Sequence, residues 1–158
     1  NTPDIVVNLQ WYMPNISTVA ITNLVTYMNE WKFDIVTLSS SFSSDKELAD
    51  ENNVKVAVSE NLKNNKFCQA IDFFRKEEKN YEYFYHHVGI YAFTNKALIR
   101  YVGLKRSKLE LERKREQLRA LENKMSIHVG YIKSSPLSVD TEEDLNEVKN
   151  LMKKNEKN

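Results

Sequence analysis

Asp4-Ile5-Val6-Val7-Asn8-Leu9-Gln10 is a short β-branched run behind Pro3. It is too short for a helix, and Val and Ile favour the pleated, packed surface of a sheet, so it reads as a buried strand. Ser17 then caps a segment in which Ala20, Leu24, Tyr27, Met28 and Trp31 fall on one face at helical spacing. Asp34 to Leu38 (DIVTL) reads as a second buried strand. Strand, helix and strand in this order are what a right-handed parallel crossover needs, which points to an α/β fold.

Working outward, Ser39 to Asn53 is polar and serine-rich, a loop with room for one helical turn before a strand at Val54 to Val58. Asn61 to Asn80 is ambiguous between helix and strand. Tyr81 to Phe93 (YEYFYHHVGIYAF) is aromatic and β-prone, and Thr94 can cap a short helix through Tyr101. Leu104 to Lys124 is the longest polar helical candidate, with Leu104, Leu111 and Leu118 spaced by seven; Ser107 and Lys114 interrupt the second seam, so no sustained coiled coil is expected. Met125 to Lys133 alternates as a strand, and a last helix from Glu142 to about Lys153 would bury Leu145, Val148, Leu151 and Met152. The expectation is one α/β domain over residues 1–153 and a disordered tail over 154–158.

The bulk properties narrow the function classes. The chain has 158 residues, 41% hydrophobic and 28% charged, as in a soluble globular domain. Lys and Arg total 23 against 22 acidic residues, so a formal charge of +1 gives no global attraction for nucleic acid or an anionic membrane. The charged stretch Lys105 to Arg115 is diluted by Glu110 and Glu112 and lacks an aromatic platform, which argues against nucleic acid there too. Cys68 is the single cysteine, so neither an internal disulfide nor a thiolate cluster is available, and a reducing cytoplasm is expected. No apolar stretch reaches membrane-span length, and membrane insertion is not expected. The chain opens without Met and enters an apolar run at once, which suggests that sequence upstream has been removed.

Three segments stand out together: His87-Val88-Gly89-Ile90-Tyr91, Glu116-Gln117-Leu118-Arg119-Ala120-Leu121-Glu122, and Ser138-Val139-Asp140-Thr141-Glu142-Glu143-Asp144-Leu145. On the residues alone, each has a plain structural reading. His87 and Tyr91 share one strand face and fit a core. Glu116, Gln117 and Arg119 fit a solvated helix. Asp140 or Thr141 fits a helix cap, with Asp144 completing a capping box. Neighbouring His86 and His87 point to opposite faces of a strand, which argues against a joint metal site.

In order and spacing, however, the three segments resemble the C-terminal half of the 3-deoxy-manno-octulosonate (Kdo) cytidylyltransferases, and Val6-Val7-Asn8-Leu9-Gln10 and Val54-Lys55-Val56 match as well. The resemblance implies a Rossmann-like nucleotidyltransferase fold with a mixed sheet flanked by helices, N-terminal part missing, and a homodimer. It implies transfer of CMP from CTP to Kdo, with release of pyrophosphate, for lipopolysaccharide synthesis. In-line phosphoryl transfer needs charge neutralisation and alignment, so Mg²⁺ is implied as cofactor, with Asp140 as its catalytic carboxylate ligand. His87, Tyr91, Glu116, Gln117 and Gln10 are implied in binding substrate, and Arg75, in Phe73-Phe74-Arg75, matches an arginine near the sugar acid, a role its planar fork suits. Relatives that activate sialic acid share the reaction type; the E-Q-L-R and V-D-T segments point to Kdo.

The chain also departs from the family. The basic, proline-containing nucleotide-binding loop would lie upstream of Asn1, and where the family carries Gly-Asp-x-Pro this chain reads Trp11-Tyr12-Met13-Pro14. A neutral phenol is a poor Mg²⁺ ligand beside a carboxylate. The chain alone is therefore expected to be inactive, and the alternative to an enzyme is a non-catalytic fragment or pseudoenzyme that keeps the sugar-acid-binding and dimerisation half.

Overall fold

A computed structural model of the chain describes residues 4–9, 16–31, 33–64, 67–76 and 79–133, and near the end 142, 145, 146 and 148–150. Six strands form one sheet: β1 (Ile5–Asn8), β2 (Ile35–Ser40), β3 (Lys55–Val58), β4 (Phe67–Phe74), β5 (Phe84–Thr94) and β6 (Ile127–Tyr131). Five helices accompany them: α1 (Thr18–Trp31), α2 (Asp45–Ala49), α3 (Asn95–Val102), α4 (Lys108–Arg113) and α5 (Gln117–Glu122). The mixed α/β class is as expected, and within the ambiguous Asn61–Asn80 stretch β4 takes Phe67–Phe74 as strand.

The crossover takes a different form from the one expected. β1 and β2 do run the same way, but both are antiparallel to β5, which lies between them. Among the described residues only β2 and β6 form a parallel ladder. The strand order β1-β5-β2-β6-β4-β3 is joined by a further β3–β5 pairing, so the ladders from β5 round to β3 close into a ring. Irregularities between Thr37 and Leu38 and between Ala57 and Val58 supply the local bends that closure needs.

Alternation along the strands sorts the core onto two faces. Val36 and Leu38 pack with Val88, Ile90 and Ala92 beneath Ala20, Leu24 and Met28 of α1. On the other face, Ile35, Phe93, Ile127 and Val129 pack with Ala97 of α3 and with Leu118 and Ala120 of α5. Thr94 caps α3 by accepting from the Ala97 N–H at 3.2 Å. Toward the C-terminus, residues 145, 146 and 148–150 are helical with Val148 buried and Leu145 exposed; Leu151 and Met152 lie outside the described residues.

The long helix expected over Leu104 to Lys124 is instead two short ones. Ser107 opens α4 with a capping box: its side chain accepts from the Glu110 N–H while the Glu110 carboxylate accepts from the Ser107 N–H. Lys114 ends α4 in the left-handed region at φ 52°. Two long-range ties hold the break. Arg113 Nη1 donates to both Asp72 oxygens of β4, at 3.1 and 2.9 Å, and Arg119 folds back onto Glu110.

Candidate functional site

The C-terminal half of β5, the end of β1, α3 and α5 enclose a cavity of about 270 Å³. Its lining includes Asn8 of β1, Tyr91 and Phe93 of β5, Tyr101 of α3, and Glu116, Gln117 and Arg119 from the α5 segment; Ile35, Ala120 and Ile127 complete it. The sheet register explains the meeting: Asn8 lies directly opposite Tyr91 in the β1–β5 ladder, and α3 leaves the end of β5 at Thr94. Polar residues from three separate sequence segments thus converge on one space.

Two hydrogen bonds pin the helices over the cavity. Tyr101 Oη donates to the Glu116 carbonyl at 3.0 Å, and Arg100 Nη2 to the Asn123 carbonyl at 3.1 Å. The Arg119 guanidinium carbon stands 5.1 Å from the Tyr101 ring centre, a cation–π contact. Arg119 Nε and Nη2 donate to the two oxygens of buried Glu110, at 2.8 and 2.5 Å. The Arg119 bonds hold the Glu110 carboxyl below the usual carboxylate range against its desolvation, and the same bonds raise Arg119. Burial pushes the Tyr101 phenol up, with the nearby Arg119 charge opposing.

Of the residues expected to bind substrate, Tyr91, Glu116 and Gln117 line this cavity together. His87 does not line it. It is buried behind Tyr91, with ring centres 5.5 Å apart, packs edge-on to Phe73, and meets Thr37 Oγ1 at 2.9 Å through Nε2. His86 points the other way, as strand alternation requires, stacking on Phe42 with Nδ1 2.7 Å from Glu47 Oε1. Arg75 is exposed just past β4 and belongs to the surroundings of Lys55 rather than to this lining. Gln10 and Asp140 lie outside the described residues, as do Trp11 to Pro14.

Asn8, Tyr101 and Arg119 were not among the expected binding residues. Asn8 had a signal, since it sits inside the matched V-N-x-Q segment. Arg119 had the same kind of signal, since it sits in the matched E-Q-L-R segment, but its composition reads as solvated helix.

The lining mixes two carboxamides, a carboxylate, a guanidinium and two phenols over an apolar floor, which suits a small polyhydroxylated ligand bearing charge. It does not by itself suit a metal. No group of three or more His, Cys, Asp or Glu side chains that could hold an ion is found among the described residues. No helix among them is long and apolar enough to cross a membrane.

A polar-walled cavity over a mixed α/β sheet is the kind of concave site that small molecules occupy. Residues 1–127 match the family described as cytidylyltransferase, and the chain belongs to that family. It is 36% identical over 150 residues to the 3-deoxy-manno-octulosonate cytidylyltransferase of Bartonella henselae, which covers 94% of this chain and 61% of the relative. With the enzyme of the same description from Brucella ovis, identity is 39% over 143 residues, 90% of this chain and 57% of the relative. The solved structure of CMP:2-keto-3-deoxy-manno-octonic acid synthetase complexed with CTP superposes with a TM-score of 0.82 at 29% identity, over 96% of this chain and 63% of that one. The chain thus spans about three fifths of the length of these relatives.

Proposed function

We propose that this chain forms the sugar-acid half of a Kdo cytidylyltransferase, and that the cavity between β5 and α5 receives Kdo. The observation that carries this reading is the convergence of Tyr91, Glu116 and Gln117, from two of the matched motifs, with Asn8 from a third segment. In the parent reaction a Kdo hydroxyl oxygen attacks the α-phosphorus of CTP. The new P–O bond forms as the bond from the α-phosphorus to the α–β bridging oxygen breaks, pyrophosphate leaves with that oxygen, and the hydroxyl proton passes to water. The roles proposed within the chain are specific: Gln117 and Asn8 hydrogen-bond the polyol, Glu116 accepts from its hydroxyls, and Tyr91, backed by His87, sets the depth of the site. Gln10, two positions after Asn8 in the matched V-N-x-Q segment, is a further proposed substrate contact. Asp140 is the proposed Mg²⁺ ligand, and Arg75 is kept as a contact to the sugar acid only if the ligand reaches beyond this cavity.

A second reading, a sugar-acid binder without turnover, is favoured by Tyr12, which stands where the family carries a carboxylate. The two readings are separated by pyrophosphate release with CTP, Kdo and Mg²⁺. We expect none from this chain, nor from Tyr12→Asp alone. We also propose a homodimer working in the cytoplasm, which a concentration series of solution masses that stayed monomeric would refute.

The direct test is calorimetric titration of Kdo into the wild-type chain and into His87→Ala and Gln117→Ala. Binding that weakens in both variants supports the acceptor site. Absence of wild-type binding in a folded chain overturns it.

A further inference from the structure

We propose that Glu110 is a positioning residue for the cavity: its carboxylate holds Arg119 over Tyr101 and so fixes the α5 wall that carries Glu116 and Gln117. The link to Kdo rests on the acceptor-site reading above; the clamp itself does not.

The clamp exists because the helix is broken. In one continuous helix, Glu110 and Arg119 would stand about 13 Å apart along the axis, beyond salt-bridge reach. The left-handed turn at Lys114 folds α5 back and brings Arg119 Nε and Nη2 onto the two Glu110 oxygens. Two parallel bonds fix the plane of the guanidinium as well as its place, which one bond would not. The plane matters because the guanidinium carbon lies 5.1 Å from the Tyr101 ring centre, and Tyr101 Oη in turn donates to the Glu116 carbonyl at 3.0 Å. A connected path therefore runs from Glu110 through Arg119 and Tyr101 to the backbone of Glu116, next to Gln117.

Glu110 is itself held. Its side chain accepts from the Ser107 N–H at 3.1 Å, closing the capping box of α4, and it is only 5% exposed. Arg119 is the one cationic side chain in the described lining of the cavity, and Nη1 is the terminal nitrogen that Glu110 does not engage. Glu110 thus aims the charge that an acidic ligand would meet, without touching that ligand. Lysine at 119 would keep the charge and lose the fork.

The test uses the whole chain in two arms. In the ligand-free arm, proton–nitrogen correlation spectra follow the Arg119 Nε–H and the Gln117 side-chain amide. We expect a slowly exchanging Arg119 Nε–H in the wild type, and in Glu110→Gln its loss together with a displaced Gln117 amide. In the binding arm, Kdo affinity is expected to fall about tenfold in Glu110→Gln. Arg119→Lys is expected to match that fall, and the double variant to be no weaker than either single one, because both residues act through one clamp. A Gln117 amide unmoved in Glu110→Gln, or Kdo affinity there within twofold of wild type, overturns the positioning role. If the wild-type chain binds no Kdo, the acceptor-site reading falls, and the clamp stands or falls on the two resonances. If Glu110→Gln does not fold, Arg119→Lys supplies the Gln117 amide and affinity readings.

Discussion

His87 Nε2 and Thr37 Oγ1 meet at 2.9 Å inside the β2–β5 ladder, and the hydroxyl also lies 2.7 Å from the Ile90 carbonyl. A threonine hydroxyl has one proton, and a carbonyl can only accept. Giving that proton to Ile90, the closer partner, places a proton on His87 Nε2. Burial, with the neighbouring His86 charge adding to it, pushes the His87 pKa down to about 3.

This depressed value makes stability depend on pH. Unfolded, the imidazole titrates near its ordinary value of about 6.5; folded, near 3. Between those limits the unfolded chain takes up a proton that the folded chain refuses. The contribution is complete above the unfolded value and is lost as pH falls through the window, at up to about 1.4 kcal/mol per pH unit. Urea midpoints for wild type and His87→Gln should therefore draw together between pH 7 and pH 5. A constant gap would mean that His87 is not held neutral.

Thr37→Val should cost about 1–3 kcal/mol, because it keeps the shape and strips the buried His87 Nε2–H of its acceptor. The site-linked signature is the irregularity beside it: Thr37 pairs with Tyr91 but Leu38 with Val88, and the Thr37 hydroxyl bonds the Ile90 carbonyl within that step. Amide exchange at Gly89 and Ile90 should quicken more than at Phe93, and uniform quickening would count against this local role.

What the residues alone disclosed follows the range of the forces involved. The α1 face through Ala20, Leu24 and Met28, the β5 strand and the Thr94 cap rest on spacing and on bonds a few residues long, and each was legible, although Trp31, read onto the same face, is exposed. The closing of the sheet was not, because register depends on partners far along the chain. Leu104 to Lys124 misled for a related reason: Lys, Glu, Leu and Arg favour a broken helix as well as a continuous one. What breaks it is the pairing of Arg113 with Asp72 and of Arg119 with Glu110. One local clue was present, since Ser107-Lys108-Leu109-Glu110 is a capping-box pattern that announces a helix start inside the stretch. At the site, motif order brought out Tyr91, Glu116 and Gln117, whereas the place of His87 behind the cavity depends on how Thr37 meets it across the sheet.

Gly130→Ala should destabilise by about 1–3 kcal/mol through overpacking. Gly130 lies opposite Phe67 in the β4–β6 ladder, and a Cβ there would stand 2.6 Å from Phe67 Cε1 and 3.2 Å from Leu38 Cδ2. The Phe67 ring has little freedom to yield, being set edge-on to both Tyr27 and Phe33. Phe67→Leu should recover part of the loss in the double variant, and urea unfolding of the four chains gives the coupling.

Arg113→Met tests the tie that seats α4. Asp72 is 8% exposed; it takes both bonds from Arg113 and a third at 2.6 Å from Tyr81 Oη. Removing the guanidinium leaves that carboxylate buried with the Tyr81 hydroxyl and the Phe73 N–H at 2.8 Å as its described partners, so the loss should be about 3 kcal/mol, well above that of an exposed pair. Asp72→Asn on the Arg113→Met background should be less harmful than on wild type, since it discharges an orphaned carboxylate instead of breaking a pair. The turn at Lys114 joins α4 to α5, so Arg113→Met should also loosen the hold of Glu110 on Arg119, seen as faster exchange of the Arg119 Nε–H. Faster exchange without a change in stability would place the tie in the site alone; a stability loss with the Arg119 resonance unmoved would confine it to the sheet.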